Sequence, residues 1–312
     1  MIAAALGLGA GACAPFRRGE PTAAVERLEH PALDRLRAGE FTPEIFESLF
    51  PPWDHLLMSA RVLARRRGLF GKTYLDVSLI AEPSRRVRLA GRKPGDGTLL
   101  FDLVADGAVM SVYAPPSRTL YQGPIASRGS PFGAVYGVEP WDLPSIVLVA
   151  RRLAESAFTA VARERTTALV VESPRGRADG LVEVEIDTAT GLPVRAVWRR
   201  EVLRWEAAYE GWSLVPNAQN PDQRHLLPLR AGVRVWRTSR PSRSLWSWFD
   251  PLRWWPGWAD RPWVRIDLMA RPDETRLYRI DPTLRPDVFA LVVPAQTRQA
   301  TLDELGEALR AP

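Results

Sequence analysis

The 312-residue chain has a single cysteine, Cys13, and only three histidines. One cysteine excludes an internal disulfide and any metal or redox site built on paired thiols. The histidines, His30, His55 and His225, lack the spacing of a metal-binding pair on one helix. A G-x-S-x-G nucleophile elbow and a phosphate-binding loop are also missing from the sequence. We therefore predict a protein that is not an enzyme and that needs no metal and no cofactor.

Carboxylates are the remaining candidates for catalysis. Asp102, Glu183, Glu185 and Asp187 fall on the outward side of predicted strands or in predicted turns. Charged groups at such positions are normally solvated, and we interpret these four as surface charge. A hydrolase that acts on lipid or glycan stays open as the least favoured alternative, without assignable catalytic residues.

Lysine is nearly absent, since Lys72 and Lys93 are the only two, although the formal net charge is +6. The many arginines alternate with Asp and Glu along most segments. A nucleic-acid-binding surface would gather its cations on one face, with aromatic residues between them. The sequence therefore predicts no nucleic-acid partner.

The chain also lacks an apolar run of the ~20 residues that a membrane-spanning helix needs. Residues 2–12 (IAAALGLGAGA) are small, uncharged and apolar, and they end directly at Cys13. The motif AGAC at this junction resembles the lipobox of bacterial lipoproteins, in which the cysteine becomes the acylated first residue after cleavage. The resemblance implies a signal peptide over residues 1–12 and an acylated tether over residues 13–21. The alternative is a disordered Ala/Gly-rich terminus with an incidental cysteine.

Helical periodicity occurs in three segments. Residues 22–37 carry an apolar stripe that Pro31 interrupts. A short second helix is predicted from Thr42, which suits an N-cap before Pro43. A long third helix is predicted over residues 144–163, with one apolar stripe formed by Ile146, Val149, Leu153, Ala157 and Val161.

From about residue 56 the pattern changes to alternation of apolar and polar residues, which is typical of strands with one buried face. Asp106-Gly107 lies between two alternating runs and predicts a hairpin. A second hairpin is predicted with its turn from Asp187 to Gly191, because glycine can adopt a positive φ there. About ten strands follow one another without intervening helices, which favours antiparallel pairing.

Three blocks of this pattern resemble the LolA and LolB family of outer-membrane lipoprotein-sorting proteins. They are EPSRRVRLAGRKPGDGTLLFDLVADGAVMSVYAPPSRTLYQG, VEVEIDTATGLPVRAVW and RIDPTLRPDVFALVVPAQTRQATLDEL. The last block resembles the family's closing pattern of Leu, polar residues, Phe, an apolar residue and Pro, at Leu284, Phe289, Val292 and Pro294.

This resemblance implies an α+β fold in which about ten strands form an unclosed antiparallel β half-barrel. Helices would plug and cover its mouth, and its apolar interior would receive acyl chains. We expect a single domain over residues 22–305, with an insertion at residues 239–263 and a C-terminal tail at residues 306–312.

Eight inward-facing residues are predicted to line the interior: Leu75, Val77, Phe101, Leu103, Val182, Val184, Val264 and Ile266. Apolar alternation also fills the core of any β-sandwich, so plain core packing is the alternative for each residue. Only a void in the interior would distinguish a carrier from a packed core.

The insertion at residues 239–263 holds six of the twelve tryptophans. Its candidate contact residues are Trp246, Trp248, Phe249, Trp254, Trp255 and Trp258. Tryptophan favours the membrane interface, where its ring is buried and its N–H stays hydrated. The insertion is therefore predicted to contact the headgroup layer or to pass lipid into the barrel. The alternative is a hydrophobic cluster that covers the open edge of the barrel.

These features together predict a monomeric, lipid-anchored protein of the outer membrane that faces the periplasm. Ala14, rather than Asp, follows the cysteine, and the sorting rule of the family then favours the outer membrane. The predicted partners are acyl chains or lipoproteins, and the predicted role is their localisation or transfer. The alternative is a periplasmic sensor or envelope-machine subunit that uses the Trp-rich insertion for protein contacts.

Overall fold

The computed structural model describes residues 28–66, 73–84, 86–125, 129–172, 180–200, 203–237, 262, 264–270 and 278–310. The predicted signal peptide, Cys13 and the tether lie outside the described residues. The six aromatic residues predicted as a contact loop, from Trp246 to Trp258, also lie outside them.

In the described part of the chain, fifteen strands form one sheet. In chain order they are β1 (Leu56–Arg66), β2 (Thr73–Ala81), β3 (Val87–Arg92), β4 (Leu99–Ala105), β5 (Val109–Ala114), β6 (Thr119–Pro124), β7 (Phe158–Ala162), β8 (Thr166–Val171), β9 (Gly180–Asp187), β10 (Pro193–Arg200), β11 (Leu203–Pro216), β12 (Arg224–Arg237), β13 (Val264–Ala270), β14 (Tyr278–Ile280) and β15 (Arg298–Thr301).

The spatial order is β15-β6-β5-β4-β3-β2-β1-β13-β12-β11-β10-β9-β8-β7, and β14 pairs with β1 beside this path. Neighbouring strands are antiparallel, apart from the parallel pair of β15 and β6. Within the described residues the end strands β7 and β15 do not pair with each other, so the sheet stays open. The predicted α+β fold with an unclosed antiparallel half-barrel is confirmed. The sheet has more strands than the predicted ten, because short segments such as β6, β8 and β15 carry too few residues for a clear alternation.

Both predicted hairpins are present, and aspartate side chains stabilise their turns. The Asp106 carboxylate accepts hydrogen bonds from the backbone N–H groups of the two residues that follow Gly107, at 3.0 and 2.9 Å. Gly107 has a φ of +90°. In the second turn the Asp187 carboxylate accepts from the Thr190 N–H at 2.8 Å, and Gly191 has a φ of +71°. A side chain at either glycine would strain the left-handed backbone that these turns require.

Six described helices accompany the sheet: α1 (Pro31–Arg37), α2 (Pro43–Leu49), α3 (Pro131–Tyr136), α4 (Asp142–Val147), α5 (Val149–Ala154) and α6 (Leu302–Arg310). A 3-10 turn covers Pro115–Ser117. The predicted start of the second helix at Thr42 is confirmed. Helix α6 continues to Arg310, so residues 306–310 are helical and do not form the predicted tail. The described part of the chain contains no helix with the length and hydrophobicity needed to cross a bilayer.

The predicted long helix over residues 144–163 is wrong in its second half. Helices α4 and α5 are separated at Leu148, whose φ of −93° and ψ of 36° depart from helical geometry. Beyond α5 the chain forms β7, in which Val161 is exposed rather than part of a buried stripe. Ala157 is exposed as well. The β-branched residues Thr159 and Val161 favour a strand, and pairing with β8 supplies the hydrogen bonds that helix would otherwise provide.

Helices cover the two ends of the sheet differently. Helices α1, α2, α4 and α5 pack into the concave side of the half that contains β7 to β12. Phe46 of α2 contacts Phe158 at a ring distance of 5.7 Å, and the Tyr209 hydroxyl donates to the Ile146 carbonyl at 2.8 Å. We call this part the filled half. Helices α3 and α6 pack on each other at the other end, beside β1 to β6 and β13, which we call the hollow half.

Arginine–aspartate pairs cover the outer face of the hollow half. The Arg61 guanidinium contacts Asp76 at 2.9 Å, and Arg88 binds Asp102 through two nitrogens. Asp102 is only 7% exposed, so it is a buried ion-pair partner and not the solvated surface charge that the sequence predicts. Its apolar neighbours on the strand face the other side, because successive strand residues alternate between the two faces.

A second ion-pair network lies across β9, β10 and β11. Arg195 contacts Glu185 at 3.1 Å and Glu206 at 2.9 Å, while Arg163 contacts both Glu183 and Glu185. These side chains are partly exposed, which agrees with their interpretation as surface charge. Each such pair stabilises the fold only slightly, since exposed ion pairs contribute about 0 to 1 kcal/mol.

The closing block (residues 279–305) packs on the outer face of the hollow half. Phe289 is buried under the Arg86 guanidinium, which lies 4.4 Å from the ring centre. The Arg88 guanidinium donates to the Val288 carbonyl at 2.7 Å. Val292, by contrast, is 84% exposed. The closing block therefore contacts β3 and the residue before it through Val288 and Phe289, and it pairs with β6 through β15.

Candidate functional site

The hollow half encloses an apolar cavity of about 170 Å³. Strands β1 to β5 and β13 form its floor, and the segments around α3, α4 and α6 form its cover. Its wall consists of Met58, Val62, Ala64, Leu75, Val77, Leu89, Leu100, Phe101, Val112, Ala114, Pro116, Phe132, Tyr136, Val138, Glu139, Pro140, Leu143, Ile266, Leu268, Leu305 and Leu309. Only one of these residues, Glu139, carries a formal charge at neutral pH.

Strand register brings the floor residues together. Val62 of β1 lies opposite Leu75 of β2 on one side and opposite Leu268 of β13 on the other. Residues directly opposite each other in antiparallel strands share a face, so these three form one apolar row. Ala64 and Ile266 form the next pair of the same face, two residues along each strand. The alternation of the sequence thus becomes a continuous hydrocarbon floor.

The position of Phe101 in the cavity wall requires a glycine on the neighbouring strand. Its ring lies against Gly91 on the neighbouring strand, and a Cβ at that position would overlap the ring. The Phe101 ring also lies 6.2 Å from the ring of Phe132 in α3. Phe101 therefore joins the floor of the cavity to its cover.

A group of polar side chains lies beside the cover. Its members are Ser130, Glu139, Asp142 and Arg200. The Glu139 carboxylate accepts hydrogen bonds from the Ser130 N–H at 3.0 Å and from the Ser130 hydroxyl. The Glu139 N–H donates to Asp142 at 2.9 Å, and Asp142 forms an ion pair with Arg200 at 2.8 Å. Gly129 and Gly133 leave room for the Glu139 carboxylate, because a Cβ at either position would overlap it.

Burial raises the pKa of the Glu139 carboxyl, and the nearby Asp142 carboxylate raises it further. The hydrogen bonds from Ser130 and the positive charge of Arg200 oppose this rise. Glu139 is only 5% exposed, so removal from water is the largest cause. Perturbed carboxyl groups beside cavities are frequent in functional sites, which makes Glu139 a candidate for ligand recognition.

Four of the eight predicted interior residues line the cavity: Leu75, Val77, Phe101 and Ile266. They come from β2, β4 and β13, and the open sheet brings these strands to one concave surface. Leu75 and Phe101 are both half-buried. Their contact with a ligand stays a prediction.

The other four predicted residues lie away from the cavity. Leu103 and Val264 are fully buried in the core, and they take no part in the cavity wall. Val184 belongs to β9 in the filled half, where it is fully buried in the core. Val182 lies at a β-bulge where the register between β9 and β10 shifts, so it falls out of the alternating pattern. Strand alternation cannot show which half the helices fill, so it does not separate these four positions from those that line the cavity.

Several cavity residues were not predicted. Phe132, Tyr136 and Glu139 belong to the cover, and Leu305 and Leu309 belong to α6. The spacing of Leu302, Leu305 and Leu309 is helical, and this signal could have identified α6 before the structure was known. The segment around Glu139 carries no comparable periodicity.

In the described ranges, no group of three or more His, Cys, Asp or Glu residues lies close enough to hold a metal ion. Among the residues that line the cavity, Glu139 is the one with an acidic or basic side chain, apart from the phenol of Tyr136.

The fold and the cavity define an open antiparallel β half-barrel with an apolar interior under a helical cover. No family model matches the chain, and no curated protein matches its sequence. Among solved structures, the chain is similar to a putative outer membrane lipoprotein-sorting protein domain from Vibrio parahaemolyticus, with 8% identity, a TM-score of 0.41, and coverage of 79% of this chain and 94% of that chain.

Two further solved structures are similar. A LolA superfamily protein from Nitrosomonas europaea has 10% identity and a TM-score of 0.44, with 81% of this chain and 99% of that chain covered. A DUF1329 family protein from Desulfovibrio piger has 11% identity and a TM-score of 0.44, with 83% of this chain and 97% of that chain covered. These proteins include the superfamily that the sequence blocks resemble.

Proposed function

We propose that this protein binds acyl chains of lipids or lipoproteins in the cavity of its hollow half. The role is one of binding and transfer in the cell envelope, not of catalysis. The single observation that carries the proposal is the hydrocarbon wall, in which Glu139 is the one charged residue. Apolar ligands gain free energy there, because about 25 cal/mol is gained for each Å² of apolar surface removed from water.

The size of the cavity limits what it holds. A volume of about 170 Å³ is close to that of an engineered apolar cavity of ~150 Å³ that binds benzene or xenon. The cavity therefore holds a short apolar segment of an acyl chain. The remainder of a longer chain would extend through the half-buried side near Leu75 and Phe101.

Attachment to the outer membrane through Cys13 forms part of the proposal. Two or three acyl chains on one cysteine would hold the protein on a bilayer almost permanently, since each buried methylene contributes about 0.8 kcal/mol. Such an anchor would keep the cavity close to its ligands. Cell fractionation of Cys13→Ser should move the protein from membrane to soluble fractions, and mass spectrometry should show loss of the acyl modification.

The Trp-rich insertion is proposed as a contact with the headgroup layer. It connects β12 to β13, and β13 carries the cavity residues Ile266 and Leu268. Trp254→Ser together with Trp255→Ser should weaken liposome binding of the unacylated protein. Unchanged liposome binding would remove this part of the proposal.

The binding proposal is tested with two substitutions in the same strand. Val112 of β5 lines the cavity and is 2% exposed, whereas Val109 of the same strand is 41% exposed and lies outside it. Val112→Phe should lower affinity for a fluorescent fatty acid about tenfold, which corresponds to ~1.4 kcal/mol. Val109→Phe is the matched control and should leave the affinity unchanged.

Native ligands are identified from the same protein. Cys13→Ser protein, expressed without residues 1–12, is extracted with organic solvent and analysed by mass spectrometry. Co-purified acyl lipid that is depleted in Val112→Phe would support the proposal. Protein without bound lipid that instead purifies in a stable complex would favour the alternative, an envelope-machine subunit or sensor.

A further inference from the structure

We propose that Glu139 determines the head group of the ligand, selecting apolar chains that end in a hydrogen-bond donor, such as an amine, over chains that end in a carboxylate. This inference rests on the proposed function, because it names the chemistry that the same cavity selects. It starts from the position of Glu139, the one formally charged residue in the apolar wall.

The Glu139 carboxyl has no direct cationic partner among the described residues. The Arg200 guanidinium binds Asp142 with two nitrogens at 2.8 and 3.1 Å. In the described part of the chain, no Arg or Lys forms an ion pair with Glu139 itself. An ionised Glu139 therefore places a carboxylate in the wall of the cavity.

Ser130 stabilises the Glu139 carboxylate but does not neutralise it. The Ser130 N–H and hydroxyl donate to this carboxylate, and Ser130 itself is only 2% exposed. A carboxylate oxygen accepts more than one hydrogen bond, so acceptor capacity remains for a ligand. An ammonium or hydroxyl group would use that capacity, whereas a second carboxylate beside it would suffer like-charge repulsion.

The net positive charge of the protein acts against the expected preference for an amine. The formal net charge of the chain is +6, so long-range attraction favours anionic ligands. A preference for the cationic amine must therefore come from a local group that overrides this background. Glu139 is the carboxylate placed to do so.

The test compares three ligands with the same C8 chain: octylamine, octanol and octanoate. Binding to Cys13→Ser protein is followed by NMR titration of the methyl groups of Leu75 and Leu268, which report on the cavity floor. Wild-type Glu139 should bind octylamine about tenfold or more tightly than octanoate, with octanol between them. The Glu139→Gln variant should reduce the amine-to-carboxylate ratio to near one.

Control measurements separate selectivity from folding. Octanol affinity should change less than about twofold in Glu139→Gln, because its chain contacts are unaltered and a glutamine oxygen still accepts a hydrogen bond. Glu155→Gln changes a partly exposed carboxylate that directly follows α5 and should leave the ratio unchanged. Ser130→Ala keeps the Glu139 charge and should keep the preference for the amine.

Each outcome has a distinct meaning. Equal affinity of wild-type protein for all three ligands would overturn the role of Glu139 while the proposed acyl-binding function stands. An amine preference that persists in Glu139→Gln would also overturn that role. Absence of binding by every C8 ligand would overturn the proposed function together with the inference.

Discussion

The two halves of the sheet are built from the same alternating strands, yet helices fill the concave side of one half, whereas the other half encloses an apolar cavity. In the filled half, Phe46 of α2 and Phe50, which directly follows α2, are fully buried against β7 and β12. In the hollow half, the short helix α3 and the terminal helix α6 cover the concave floor without filling it. The comparison shows that helices, rather than strands, decide where a half-barrel keeps space for a ligand.

The largest expected effect comes from truncating the core of the filled half. Phe46→Ala should lower the free energy of unfolding by about 3 to 5 kcal/mol, because it removes a fully buried ring and leaves a cavity. Leu75→Ala in the hollow half should cost under ~1.5 kcal/mol, since Leu75 is half-buried and already borders a void. Urea unfolding of both variants measures the difference. Equal losses would show that the two halves are packed alike.

A second difference concerns acid sensitivity of the filled half. His225 is fully buried against Phe50, and burial lowers its pKa to about 4. The unfolded chain binds a proton near pH 6.5 while the folded chain resists it, so stability falls as the pH drops from 6.5 towards 4. The loss should reach roughly 3 kcal/mol, at 1.36 kcal/mol per pKa unit. His225→Leu should remove this part of the pH dependence in unfolding titrations.

His30 provides a check on that experiment. Burial also lowers the pKa of His30, so it contributes in the same direction as His225. A His30→Asn control should retain the acid sensitivity that His225 causes. If His225→Leu and wild type lose stability in parallel below pH 6.5, the buried imidazole is not responsible.

Enlarged side chains should destabilise the filled half more than the hollow half. Ala207 of β11 is fully buried in the filled half, and Ala207→Leu should destabilise the protein by about 1 to 3 kcal/mol through overpacking. Ala114 of β5 borders the cavity, so Ala114→Leu should cost less than ~1 kcal/mol while weakening ligand binding. Thermal unfolding of both variants measures the difference in stability, and fatty-acid titration measures the loss of ligand affinity. Equal destabilisation would mean that the cavity cannot accommodate added methyl groups.

The smallest expected effect is the pH response of the hollow half, and its sign is opposite to that of His225. The pKa of Glu139 is raised in the fold, so its contribution to stability is present below the unfolded pKa near 4.5 and is lost as the pH rises through the folded value. Glu139→Gln should remove this decline, which is measured as the difference between the two stability profiles above pH 4.5. A decline of the same size in both proteins would assign it to other groups.

Local signals in the sequence predicted much of the sheet. Asp106-Gly107 and the turn that ends at Gly191 are set by residues next to each other, and both hairpins have the expected geometry. The start of α2 at Thr42 follows from the same kind of local rule. These features need no knowledge of distant contacts, so the sequence alone was sufficient.

Tertiary contacts decided the features that the sequence did not predict. In the sequence, residues 158–162 continue the helical spacing of apolar residues. In the structure they pair with β8 and form a strand. Leu75 and Val184 carry the same alternating signature, and only the placement of the helices makes one a cavity residue and the other core. Glu139 is a site residue because Gly129 and Gly133 leave space for its carboxylate, a relation that spacing along the chain does not reveal.

The difference between a hollow and a filled half is tested most directly by crystals held under xenon pressure. Xenon enters apolar cavities that are large enough to hold it and reports their position by its electron density. The structure predicts a xenon peak beside Leu75, Val112 and Leu268, and none between α2 and β12. Density for xenon only in the filled half, or no xenon at all, would contradict the cavity on which the binding role depends.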